Sequence, residues 1–290
     1  MSAAPISLTH RRPISERIIE RLLFLAAALG VLTTVGIIAV LAFETFEFFL
    51  EVSPIDFFTG TRWSALIKPQ SWGVLALVSG TVLVAAVLLA EYASPRLRTA
   101  IKPILETIAG VPTIVLGFFG LNVVAPHLLR PLLGADAIGT FSALAGGIVV
   151  GLLITPLIAS ISEDAMRAVP RGLREGAFAM GATKFEVVRK VVFPAAISGI
   201  MASIILAMSR AIGETMAVVL VVGTKPQFTF DPTESVQTMT AFIVQISIGE
   251  TAQGSVEYKS LFAVGATLFL MTFVLNLLSG WVVRRFRTAY

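Results

Sequence analysis

Arg210 and Glu214 stand four residues apart in the stretch Leu206 to Val218, whose other members are small or apolar. A charge in such a place is costly: an Arg at the centre of a membrane helix raises the insertion free energy by about 3 kcal/mol. Two chemistries can offset that cost. A carboxylate one turn away on the same helix face can pair with the guanidinium and fix the packing of helices. Alternatively, the guanidinium fork can offer parallel N–H donors to a phosphate-like anion, with Glu214 holding Arg210 when no anion is bound. The four-residue spacing by itself leaves both open.

A second group of residues lies in the charged stretch 163–194. Pro170 suits the first turn of a helix. Arg174 to Met180 are mostly good helix formers, and Gly181 suits the left-handed position after a helix end. Thr183 with Glu186 three residues later has the form of a capping box for a second helix, and Pro194 marks the return to an apolar segment. The stretch therefore predicts a helix, a tight glycine turn and another helix, a shape suited either to connecting two spans or to docking in a partner's groove.

Whatever positions these groups is dissolved in lipid. The 290 residues are 56% hydrophobic and only 14% charged, whereas soluble domains carry about 25% charged residues. Cysteine is absent and the two histidines, His10 and His127, are far apart. Thiol chemistry, thiolate metal sites and Ser-His triads therefore lack their raw material. No G-x-x-x-x-G-K-S/T loop occurs, so ATP is not bound by that route. The net charge of +4 fits basic loops of a membrane protein rather than a nucleic-acid partner.

At about 20 apolar residues per crossing, six spans are expected, at 20–43, 70–90, 104–126, 141–162, 196–222 and 261–283. The first, Leu22 to Phe43, is charge-free and too long for a signal-peptide core. The second is short. With both termini cytoplasmic, sixteen of the 22 Lys and Arg residues fall inside, among them Arg11, Arg12, Arg96, Arg98, Lys102 and Arg287, and five outside. That asymmetry favours this orientation. Gly110, Pro112, Gly117 and Gly120 predict a kinked, closely packed third helix, and Pro156 a kink in the fourth. Trp72 and Trp281 read as interfacial anchors, and 234–248 as a short surface helix.

Glu175-Gly176-Ala177, three residues, Gly181, nine residues, Val191, one residue and Phe193-Pro194 resemble the EAA signature of ABC-importer permeases. Gly176 stands where the family has its second Ala, and Phe193 where it has Leu. Arg210-Ala211-Ile212-Gly213-Glu214-Thr215-Met216-Ala217-Val218 is similar to the fifth-helix signature of phosphate-transport permeases of the PstC type; the paralogous PstA type has Ala-Pro where this chain has Met216-Ala217. Glu106 to Leu121 and Leu261 to Asn276 agree, and the resemblance runs from about residue 18 to the end.

The resemblance implies an all-α membrane protein of six transmembrane helices with the type I (MetI-like) importer architecture. It has a cytoplasmic tail, 1–19, and a permease domain, 20–290. It implies a non-catalytic subunit of the bacterial inner membrane that binds no cofactor itself, ATP and magnesium residing on a partner ATPase. The implied partners are a PstA-like permease, a PstB-like ATPase dimer and a PstS-like periplasmic phosphate-binding protein. Arg210 and Glu214 would line the substrate path, and Glu175, Gly176, Ala177, Gly181 and Pro194 would belong to the ATPase-coupling loop. A PstA-like role, a permease for another oxyanion, and an ion-coupled anion carrier or channel remain alternatives.

Overall fold

A computed structural model describes residues 14–91, 110–134 and 137–286. Arg11, Arg12, Arg96, Arg98, Lys102, Glu106 and Arg287 lie outside the described residues, as do the first residues expected for the third span.

Ten helices and one small hairpin make up the described chain. The helices are α1 (Ile14–Glu51), α2 (Pro54–Thr59), α3 (Leu75–Glu91), α4 (Thr113–Leu133), α5 (Ala143–Arg167), α6 (Arg171–Ala179), α7 (Lys184–Ile212), α8 (Met216–Val222), α9 (Met239–Ile248) and α10 (Val256–Phe286). Strands β1 (Trp63–Ser64) and β2 (Ser71–Trp72) pair antiparallel between α2 and α3. Five helices, α1, α4, α5, α7 and α10, are long and apolar enough to cross a membrane. The expected second span is α3, which begins at Leu75 and has 17 described residues.

α5 and α7 run antiparallel at the centre. Their contact sets bulky side chains of one helix against small ones of the other: Ile154 and Ile158 share a cluster with Ala207 and Ala211, and the hydroxyls of Ser162 and Ser203 are hydrogen-bonded at 2.9 Å. In lipid, where no hydrophobic drive joins helices, close approach and buried hydroxyl pairs do that work. A Cβ at Gly117 would lie 2.9 Å from Leu220 Cδ1, and one at Gly120 2.5 Å from Val149 Cγ2. These glycines let α4 close on α8 and α5, as their type suggested.

Several elements differ from the sequence expectation. Residues 110–112 form a turn and bend, so the described helix of the third span starts at Thr113 and runs on to Leu133. Pro112, in an extended conformation with ψ 135°, stands just before it. Within α4, residues Gly120–Leu129 widen into a π-helix around Pro126; a proline lacks the N–H and crowds the preceding turn, and a wider turn relieves both. α1 continues to Glu51, so Glu44 and Glu47 sit on a helix rather than in a loop.

The segment expected as a surface helix at 234–248 folds back instead. α9 buries Met239, Thr240, Ala241, Phe242 and Ile246. Phe242 meets Trp63 edge-on at 4.8 Å, and Phe48, Phe57 and Trp72 complete an aromatic cap. Trp72 packs in that cap. The cap, the 223–238 segment and the start of α5 share one end of the molecule: Ala143 N–H donates to Glu234 O at 2.9 Å and Ser142 N–H to Val221 O at 3.1 Å. The α6 turn lies at the opposite end, after α5 has run its length.

Candidate functional site: a broken helix and a helical hairpin

Arg210 occupies the last turn of α7, which stops at Ile212. Gly213 to Thr215 are not helical, and α8 begins at Met216. Glu214 therefore does not share a helix face with Arg210, contrary to the reading of an unbroken fifth span. Among the described residues no ion pair joins the two side chains. The break is held from outside by Thr240 Oγ1 on α9, which donates to Glu214 O at 2.9 Å, and from within by Thr215 Oγ1, which donates to Gly213 O at 3.2 Å.

Depth follows from helix geometry. Ser203 is level with Ser162, and seven residues at 1.5 Å each carry α7 about 10 Å further. Arg210 is then level with residue 155, half-way along α5; the shared packing of Ile154 with Ala211 agrees. Its side chain is exposed in the single chain, one turn beyond exposed Leu206 on the same face.

Behind the break lies a buried polar seam that sequence reasoning missed. Thr238 and Thr240 hydroxyls are 3.1 Å apart, Met239 N–H donates to Thr81 Oγ1 at 3.1 Å, and Gln237 Nε2 donates to Gln245 Oε1 at 2.6 Å. Gln237, Thr238, Thr240 and Thr81 are all nearly fully buried. The only local signal was a Gln-Thr-x-Thr run in a segment taken to be at the surface.

The hairpin at the other end forms as its residues predict. α6 begins after Pro170, and Gly181 has φ +82°. The Thr183–Glu186 capping box is complete: Glu186 N–H donates to Thr183 Oγ1 and Thr183 N–H to Glu186 Oε2. Ala177 is buried against Val169, Val187, Val192 and Ala196. Glu175, Gly176 and Gly181 are exposed, and a Cβ at Gly176 would meet nothing within 4 Å. The usual Ala would fit there, so Gly176 costs no packing.

The last residue of the 163–194 stretch is Pro194. It lies inside a continuous α7, directly after the π segment Val188–Val192, where Phe193 N–H donates to Val188 O. The wide turn spares the clash a proline ring makes with the turn before it. Arg174, not singled out from sequence, ties the hairpin to α5: its Nη2 donates to Met166 O at 2.6 Å. The two groups of residues are not one site; α5 and α7 separate the helix break from the hairpin.

The sequence pattern of the binding-protein-dependent transport system inner membrane component family matches residues 82–288. The chain belongs to that family. This inner membrane component is 33% identical to the probable ABC transporter permease protein YqgH of Bacillus subtilis, over 97% of this chain and 94% of that protein. It is 31% identical to the phosphate transport system permease protein PstC of Mesorhizobium japonicum, over 90% of this chain and 88% of that one. A MetNI methionine ABC transporter solved in an inward-facing conformation aligns over 73% of this chain and 91% of its own, at 21% identity and TM-score 0.49. As an inner membrane component of this family, the chain is a multi-pass protein of the cytoplasmic membrane and a permease subunit of an ABC importer, not the ATP-hydrolysing part.

Proposed function

We propose that this chain is the PstC-type permease of an inorganic phosphate importer, with Arg210 an anion contact in the translocation path. The observation that carries the reading is a guanidinium level with the middle of α5, on an exposed face, with no ion pair or hydrogen bond among the described residues. Left against lipid it would cost about 3 kcal/mol or more. Such a side chain belongs where a second subunit encloses a wetted path, and a guanidinium there suits a tetrahedral oxyanion. The PstC relatives support phosphate as that anion.

The partner subunit is a PstA-like permease, and the path runs between the two. α3 counts as the sixth span beside the five long helices, and both termini are cytoplasmic, as the excess of Lys and Arg on that side supports. The hairpin then faces the cytoplasm. Exposed Phe178, Met180 and Phe185, beside Glu175, offer an apolar surface for a groove in a PstB-like ATPase dimer, while a PstS-like binding protein delivers phosphate at the far end. ATP and magnesium act on that ATPase. The helix break at Gly213–Thr215 lets α7 and α8 tilt separately, so a push at α6 reaches Arg210 through α7.

The test is phosphate uptake by the reconstituted complex carrying Arg210→Gln, with ATPase activity recorded alongside. Loss of one charge-assisted contact of roughly 1.5–3 kcal/mol lowers uptake about tenfold or more while ATP hydrolysis persists. Normal uptake by the variant would remove Arg210 from the path.

A further inference from the structure

Asn122 and His127 are the polar side chains in the apolar run from Ile114 to Leu129 of α4, and α4 carries no carboxylate. Both are exposed. The Asn122 amide makes one bond, from Nδ2 to the Phe118 carbonyl at 2.9 Å. Its second N–H and its Oδ1 have no partner among the described residues. An amide left against hydrocarbon in that state is costly, because nothing there stands in for water.

Local geometry aims the two residues together. Five residues are about 140° apart on an α-helix, which would send Asn122 and His127 to different sides. The Gly120–Leu129 segment is π-helical, its bonds closing onto the fifth residue, so the pair turn towards one side. Gly120, Val124, Ala125 and Leu129 take the other side, against α5 and α8.

That open side continues the surface on which Arg210 stands. Gly117 of α4 is packed on Ala217 and Leu220 of α8, and the two helices run in the same direction. Phe118, just after the one contact, and Met216, just before the other, are both exposed. Leu116 and Val218 lie opposite them and pack on α5. Asn122 is one turn beyond Phe118 on the same side. Across the break, Arg210 is exposed next to Ala211, which also packs on α5. Gly120 meets Val149, whereas Arg210 is level with residue 155. Six residues of α5 put Gly120 about 9 Å nearer the outer end, with Asn122 a little beyond it and His127 near the start of α5.

We propose that Asn122 is a second, neutral contact for the oxyanion, between the outer mouth, where His127 stands, and Arg210. The proposal rests on the oxyanion-path reading and adds a residue to it. The free N–H donates to an anion oxygen. Having no charge, the amide lets the anion move on to the guanidinium, as a path requires of its sites.

The chain has no cysteine, so a single introduced cysteine reports water at its own position: the thiolate that reacts with a charged, membrane-impermeant thiosulfonate forms in water, not in lipid. Asn122→Cys, Arg210→Cys and Leu270→Cys are compared in the reconstituted permease–ATPase complex, with labelling of this chain read by mass. Leu270 is exposed on α10 beside Met208, on the side of α7 away from Arg210. Asn122→Cys is expected to label about tenfold faster than Leu270→Cys, or more. Asn122→Leu is expected to lower phosphate uptake per ATP about tenfold, one hydrogen bond to an anion being lost, and Asn122→Gln, which keeps the amide, to recover most of it. Labelling no faster than at Leu270, undiminished uptake per ATP in Asn122→Leu, or equal losses in the two variants overturns the contact. Labelling at position 210 but not at 122 overturns this inference and leaves Arg210 in the path; labelling at neither defeats both.

Discussion

Thr240 donates its hydroxyl hydrogen to the backbone carbonyl of Glu214 at 2.9 Å, joining the folded-back α9 to the gap between α7 and α8. Carbonyls at a helix end have no partner in the helix, and in a membrane interior water is not there to replace one. Thr240→Val keeps the shape and removes the donor. Because Thr240 is 4% exposed, the carbonyl is left unsatisfied at a cost of about 1–3 kcal/mol. The purified complex is expected to melt at lower temperature and to transport more slowly, with Thr240→Ser restoring both.

Arg174 reaches from α6 to the Met166 carbonyl in the last turn of α5, the position where a cation suits the helix dipole. It is a strut between the helical hairpin and the central helix pair. Arg174→Met removes the strut and keeps most of the stem. ATP hydrolysis by the assembled complex is expected to stay within about twofold of wild type, with uptake per ATP falling about tenfold, since one charge-assisted bond of roughly 1.5–3 kcal/mol is lost. Equal uptake per ATP in both proteins would refute the strut.

Gly60 and Gly73 touch backbone to backbone where the aromatic cap closes. A Cβ at Gly73 would lie within van der Waals overlap of the Gly60 carbonyl, 2.4 Å from its oxygen. Backbone cannot swing aside as a side chain can, so Gly73→Ala is expected to destabilise the cap by about 1–3 kcal/mol. Gly36→Ala, with nothing within 4 Å of the new carbon, is the control and leaves the melting temperature unchanged. Tryptophan fluorescence from Trp63 and Trp72 reports the difference.

Lys259 on α10 bonds both Glu51 at 2.8 Å and Glu47 at 3.1 Å on α1. The two carboxylates are one turn apart and repel each other when the shared cation is gone. Lys259→Met is expected to lower the melting temperature, more so at low salt than at high, where screening weakens the repulsion. Adding Glu47→Gln and Glu51→Gln to it recovers the loss.

What could be read from the chain was what is decided within a turn or two. Thr183 and Glu186 find each other three residues apart, Gly181 takes a left-handed conformation other residues avoid, and Pro170 opens a helix. The helical hairpin therefore forms as its residues predict. Runs such as Leu22 to Phe43 declare membrane helices by composition alone, because hydrocarbon tolerates nothing else over that length. Arg210 was marked in the same way, as a charge where charge is expensive.

The broken fifth span was not legible, because local propensity alone does not end a helix at Ile212; the freed Glu214 carbonyl needs Thr240, 26 residues on. Nor was the burial of α9, whose apolar face is covered only once Trp63 from β1 and Phe48 from the end of α1 arrive. The π-helical widening at Pro126 and Pro194 likewise answers packing around a proline rather than any sequence period.

Composition, spacing and local caps thus determined that the chain is a helical membrane protein, with a charged hairpin and an Arg deep in an apolar run. The tertiary structure alone decided that Arg210 and Glu214 part company at a helix break, and that a polar seam of Gln237, Thr238 and Thr240 backs that break. The physical reason is range: a cap or an apolar run is satisfied by its neighbours in sequence, whereas a broken helix persists only when a distant residue supplies the hydrogen bond it gave up.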